Sequence, residues 1–163
     1  MSRVTRGRAA PILVAAALAI VTATAGALVT ELGPWYQGLR VPPWKPPDWA
    51  FGPVWTLIFS LAALAGVTAW RSEADRRYRL GLVAMFVLNG VLNVLWSAFF
   101  FHYRRPDWAL VEVALLWLSI LLLILVLGRV SRPAAWLLVP YLVWVSIAAA
   151  LTWSVVRLNA PFH

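Results

Sequence analysis

The chain has 163 residues, of which 63% are hydrophobic and 12% charged, with a formal net charge of +8. Soluble domains carry about 25% charged residues, so this composition excludes an ordinary water-soluble domain. Cysteine is absent, which removes disulfides and thiolate chemistry.

Charge-free intervals define the elements. Ala9 to Thr30, Ala50 to Trp70, Leu80 to Phe101 and Pro133 to Val156 hold no Asp, Glu, Lys or Arg, and Trp108 to Gly128 holds only Glu112. Each is long enough for the roughly 20 residues that cross a bilayer core about 30 Å thick as a helix. Continuous apolar runs select helices over barrel strands, which alternate and need only about 10 residues. The fold class is therefore all-α integral membrane, a five-transmembrane-helix bundle. It forms one domain over residues 1–163, with helices at about 9–30, 50–70, 80–101, 108–128 and 133–156 and a Trp- and Pro-rich loop at 31–52.

The first interval follows Arg3, Arg6 and Arg8 and contains Ala23-Thr24-Ala25, which imitates a secretory signal and its cleavage site. It is long for such a signal, and Ala15, Ala19, Ala23 and Ala27 form a stripe of small residues that lets membrane helices approach closely. It reads as a retained helix.

The segment from Trp35 to Trp55 carries Pro42, Pro43, Pro46 and Pro47 among its aromatic residues. Proline fixes φ and removes a backbone donor, so a regular helix is expected only from about Pro53, where a first turn tolerates proline. Trp35, Trp108 and Trp136 suit an aromatic belt at the membrane interface. Trp44 and Trp49, held by the Pro-rich backbone, are expected to form a lid over a cavity between helices.

In the third interval Asn89, Asn93, Trp96 and Phe100 share one helical face. An amide in hydrocarbon needs partners, so Asn89 and Asn93 serve interhelical hydrogen bonding, a ligand, or both. Trp55 and Phe59 share a face of the second helix, as Tyr141, Trp144, Ala148 and Leu151 approximately do on the fifth. Glu112 is the one acid inside an interval, and such a group is a functional candidate. Lying just over one turn from Trp108, it can also anchor its helix by reaching water or Arg104 and Arg105.

Basic residues favour the cytoplasmic side. Arg3, Arg6, Arg8, Arg71, Arg76, Arg77, Arg79, Arg129 and Arg132 fall on one side, against Arg40, Lys45, Arg104, Arg105 and Arg157 on the other. A cytoplasmic N-terminus is expected. These residues lie in short loops where anionic head groups meet them, so membrane lipid is the expected partner and nucleic acid is not.

The ordered set Trp35-Tyr36, Leu39, Pro43-Trp44, Pro46-Pro47, Trp49 and Gly52-Pro53-Val54-Trp55 resembles the translocator protein family, also called tryptophan-rich sensory proteins or peripheral-type benzodiazepine receptors. Further matches are Leu88-Asn89, Asn93 to Trp96, Phe100-Phe101, Trp108 to Glu112, Pro140-Tyr141-Leu142, Trp144, Ala148, Leu151 and Arg157-Leu158-Asn159. The resemblance implies five helices around a cavity for porphyrins, haem-related tetrapyrroles, sterols or benzodiazepine-type ligands. A protoporphyrin IX-like tetrapyrrole is the expected ligand, a sterol the weaker one, in a bacterial cell membrane. A homodimer is also implied by the resemblance.

For that site Trp44, Trp49, Trp55, Phe59, Asn89, Asn93, Trp96, Phe100, Tyr141, Trp144, Ala148 and Leu151 are the expected ligand-binding residues. The run Leu151 to Arg157 is similar to a proposed sterol motif, with Trp153 in place of tyrosine, and such motifs are weak. His102, at a loop edge, and His163, at the terminus, offer no metal-ligand spacing, and no metal or cofactor is required for the chemistry expected. The residues favour a tetrapyrrole-binding sensor or carrier. Transport of porphyrins or sterols, and light-dependent porphyrin degradation by an enzyme, are the alternatives.

Overall fold

The computed structural model describes residues 2–73 and 75–162. The side chains of Arg3, Arg6 and Arg8, and the whole of His163, lie outside the described residues. Among the described residues five helices are long and apolar enough to cross a membrane: Ala9–Val29, Asp48–Ser72, Arg76–His102, Pro106–Gly128 and Arg132–Asn159. No strand occurs among the described residues.

The helical elements are α1 (Ser2–Val29), α2 (Pro34–Gln37), α3 (Asp48–Ser72), α4 (Arg76–Ser97), α5 (Pro106–Gly128), α6 (Arg132–Leu137) and α7 (Val139–Asn159). Local chemistry sets several boundaries. Asp75 caps α4 by accepting from the Arg77 amide at 3.0 Å, and Ser131 caps α6 by accepting from Ala134 at 3.4 Å, each satisfying an amide that has no helical partner. Pro106 starts α5, where a missing N–H is harmless, and Asp107 in the first turn suits the positive end of the helix dipole.

Three features differ from the sequence reading. Helix α3 begins at Asp48, so Pro53 lies inside it, and the loop contains the extra helical turn α2. The fifth span is two helices, because Pro140 has no N–H to continue the ladder and the chain turns at Leu138. Helix α4 runs on into a wide π turn, Ala98–His102, in which Tyr103 N donates to Ala98 O at 2.9 Å. Arg104, with φ 55°, then ends the span in the left-handed region.

The spans close into a ring. Helix α1 packs on α3 and α4, α4 on α5, α5 on α6 and α7, and α6 on α3. Lipid reverses the pattern of a soluble protein, so the outward face is apolar and the polar groups turn inward. On α5, Val111, Leu115, Leu118, Leu122 and Leu125 are exposed, while Leu116, Ile120, Leu123 and Leu127 fill the core. Asn89, Asn93, Glu112 and Thr152 are buried polar residues of the bundle.

Candidate ligand cavity

Small residues create the space. Ala16, Ala19, Ala23, Gly26 and Ala27 of α1 face Gly52, Thr56 and Ser60 of α3 across a cavity of about 760 Å³. Ligand pockets commonly span about 300 to 1,000 Å³, so the volume suits a sizeable organic molecule. The stripe of α1 that the sequence presented as a packing surface is thus also a cavity wall.

Aromatic rings supply much of the remaining lining. Phe51, Trp55 and Phe59 come from α3, Trp96 from α4 and Phe101 from the π turn. Trp55 and Phe59 stack with centroids 5.3 Å apart, and Tyr141 meets the Trp55 ring edge-on at 6.0 Å. Trp55 therefore stands between the cavity and α7.

The lining polar groups are largely engaged. Thr56 and Ser60 donate to the Gly52 and Thr56 carbonyls of their own helix, at 2.9 and 2.8 Å. Asn93 Nδ2 donates to Tyr141 Oη at 3.1 Å, Tyr141 Oη donates to Asn89 Oδ1 at 3.1 Å, and Asn89 Nδ2 donates to Ser119 Oγ at 2.8 Å. Ser119 in turn donates to Leu116 O at 2.7 Å. This directed chain ties α4, α5 and α7 together. The Trp96 indole N–H is buried without a partner, and it belongs to a lining residue.

Tyr36 and Asp48 line the cavity beside the loop, together with Leu32. Tyr36 Oη donates to Asp48 Oδ1 at 2.8 Å, and the Lys45 ammonium binds the same oxygen. Burial, and then the bond to Asp48, push the Tyr36 phenol above its ordinary pKa. For Lys45, burial works against the ammonium, but its bonds and charge interactions with Asp48 and Tyr36 together outweigh it and the pKa rises. Both groups are consequently protonated donors at neutral pH.

Of the expected ligand-binding residues, Trp55, Phe59, Asn93 and Trp96 line the cavity. Asn89 and Tyr141 lie behind it and border a second space of about 70 Å³ against α1. Trp144 packs on Phe51 at 5.5 Å, with its N–H buried and unpaired; Ala148 is buried in the core and Leu151 packs against it. Trp44 and Trp49 are 49% and 77% exposed and do not line the cavity, whereas Tyr36 and Asp48, near them in the chain, do.

Phe100 is likewise displaced. It is buried between Trp35 and Trp96, and its neighbour Phe101 takes the lining position. The π turn inserts about one residue beyond the α-helical repeat, which shifts the register of the inward face. Helical periodicity alone could not reveal that shift, nor single out Tyr36, Asp48 and Phe51. The order of the loop places Asp48 just ahead of the aromatic pair Trp49 and Phe51, which is the only hint it holds.

Two polar expectations resolve differently. Glu112 is buried with neither carboxyl oxygen paired; Arg105 is bound in a fork to Asp107, and Arg104 lies 3.9 Å from Glu31. His102 Nδ1 lies 3.0 Å from Glu31 Oε1, and His102 is not a cavity-lining residue.

A sequence profile of the TspO/MBR family matches residues 12–158. The chain belongs to this family. The tryptophan-rich protein TspO of Chlorobaculum tepidum is 44% identical over 129 residues, covering 77% of this chain and 79% of that one. That of Archaeoglobus fulgidus is 36% identical over 151 residues, covering 91% and 97%. The human translocator protein is 34% identical over 127 residues, covering 77% and 75%. As in the rest of the TspO/MBR family, the chain is an integral, multi-pass membrane protein.

Proposed function

We propose that the chain is a membrane-embedded binding protein for a porphyrin or a related flat, hydrophobic tetrapyrrole, acting as a sensor or carrier. The observation that carries this reading is a cavity of about 760 Å³ with an aromatic wall in which Trp55 and Phe59 stack 5.3 Å apart. A planar conjugated ligand gains from such rings both by burying area and by offset stacking. The unpaired N–H of Trp96 offers it one donor. The excess of arginine on the side of the first residues supports a cytoplasmic N-terminus.

The test is titration of the protein in lipid nanodiscs with protoporphyrin IX, following the absorbance of the bound ligand. Saturable binding that weakens in Trp55→Leu supports the proposal. Binding without saturation, or with the same affinity in a folded Trp55→Leu protein, removes it. Flux of the ligand across reconstituted vesicles separates a transporter from a sensor or carrier.

A further inference from the structure

Two donors, Tyr36 of the cavity lining and Lys45 beside it, converge on one oxygen of the lining residue Asp48. The Tyr36 hydroxyl and the Lys45 ammonium both bind Asp48 Oδ1, and the Lys45 nitrogen also sits 5.5 Å from the centre of the Tyr36 ring. Among the described residues lining the cavity, Asp48 is the sole charged one. Hydrogen bonds from an ammonium to a carboxylate are among the stronger ones available to side chains. The pair of donors therefore has the makings of a carboxylate-binding site, and its present occupant is a carboxylate of the chain itself.

The donors are held and the occupant is open. The Lys45 side chain is 15% exposed and that of Asp48 56%. Lys45 N donates to Pro42 O at 3.1 Å, in a turn stiffened by Pro42 and Pro43, and the Tyr36 ring rests on Phe101 at 5.6 Å. Asp48, in contrast, stands at the first residue of α3 with one oxygen turned outside this pairing. Ion pairs open to water are weakly held, and a carboxylate released into water loses little, so an exchange of partners is not strongly opposed.

We propose that Tyr36 and Lys45 form a binding site for the acidic group of an amphipathic ligand, filled by Asp48 when the cavity is empty and by the ligand's carboxylate when it is occupied. This rests on the reading that the cavity holds an apolar ligand body. The exchange also undoes the Tyr36–Asp48 bond that closes the loop between α2 and α3, so an acidic ligand and an ester of the same ligand leave the loop in different states. The site thus selects by charge, whereas the aromatic wall selects by shape.

The test compares protoporphyrin IX with its dimethyl ester, which keeps the ring and removes both acids. Dissociation constants for the two are measured on the full-length parent and on Asp48→Asn, Lys45→Met and Tyr36→Phe. Asp48→Asn removes the internal competitor and is expected to shift the acid-to-ester preference toward the acid by about threefold or more, the size of one exposed ion pair. Lys45→Met and Tyr36→Phe are expected to shift it toward the ester. Retained ester binding in each variant reports an intact cavity, and Tyr36→Phe supplies the donor deletion should Lys45→Met fail to fold. An acid-to-ester ratio that is the same in all four proteins, or that moves the other way, overturns the site alone. Failure of the parent to bind either compound overturns the cavity reading and the site with it.

Discussion

Asn159, in the last turn of α7, pairs with both backbone polar groups of Arg40: its Oδ1 accepts from Arg40 N at 2.8 Å and its Nδ2 donates to Arg40 O at 2.8 Å. A side-chain amide here does what a neighbouring strand would do. Its Nδ2 also donates to Val155 O at 2.8 Å, which holds the amide against its own helix. The Pro-rich loop, which cannot satisfy its own backbone by helix or sheet, is thereby pinned to the far end of the chain.

Replacing Asn159 with Ala removes both bonds to Arg40. Each intramolecular hydrogen bond contributes about 0.5 to 1.5 kcal/mol, and the site is exposed, so the expected loss is about 1 to 2 kcal/mol. Hydrogen exchange should show it first at the Arg40 amide and in the surrounding loop, with the amides of α5 unchanged. Equal protection of Arg40 in parent and variant would show that the loop is held by other contacts.

A close contact between α1 and α4 lies elsewhere. A Cβ added at Gly90 would stand 2.7 Å from Thr22 Oγ1, so α4 and α1 meet where only hydrogen occupies the α4 side. Gly90→Ala is expected to destabilise the bundle by about 1 to 3 kcal/mol through overpacking. Thr22→Ala in the same chain removes the obstructing hydroxyl and should restore most of the loss. A double-mutant cycle by thermal unfolding in detergent measures this coupling, and additive effects would rule out the contact as the cause.

The fold was legible because lipid leaves few options: charge-free runs of this length become helices, and five of them make a bundle. Faces on regular α-helix were also legible, since Asn93 and Trp96 line the cavity and Trp55 stacks on Phe59. The expected residues that do not line the cavity fall in two sets: Asn89, Tyr141, Trp144, Ala148 and Leu151 sit on regular helix away from it, and the others follow departures from the regular repeat. The π turn exchanged Phe100 for Phe101, and the start of α3 ahead of Pro53 brought Asp48 and Phe51 to the cavity while Trp44 and Trp49 remained outside. Composition could not choose among the tryptophans of one loop, because which ring turns inward follows from where the helix begins.

Tyr141 Oη lies between Asn89 and Asn93, accepting from one and donating to the other. Tyr141→Phe keeps the ring against Trp55 but strands a donor and an acceptor together. Measured hydrogen bonds between membrane helices average about 0.6 kcal/mol and reach about 1.7, so the loss of two places the expected cost at about 1 to 2 kcal/mol. Ser119→Ala, which removes the Ser119 partner of Asn89 Nδ2, should cost about half as much. Unfolding in mixed micelles compares the two, and a larger effect from Ser119→Ala would contradict the central place of Tyr141.

The two tryptophans expected to form ligand walls, Trp55 and Trp144, occupy unlike positions, and this yields a sharp comparison. Trp55 lines the cavity, stacked on Phe59, whereas Trp144 is not among the described lining residues and packs on one of them, Phe51, at 5.5 Å. An aromatic pair is worth about 0.5 to 1.5 kcal/mol beyond the area it buries, and about 1.4 kcal/mol is a factor of ten in affinity. Trp55→Leu should therefore weaken protoporphyrin IX binding by about tenfold. Trp144→Leu should weaken it by less than about threefold, because the ring it removes lies behind Phe51 and not against the ligand. Its effect should appear in stability instead, since it leaves a void beside Phe51 in the packed interior. Paired ligand titrations and thermal melts of the two variants decide the matter, and a loss of affinity in Trp144→Leu as large as that in Trp55→Leu would move the binding site from the α1–α3–α4 face toward α7.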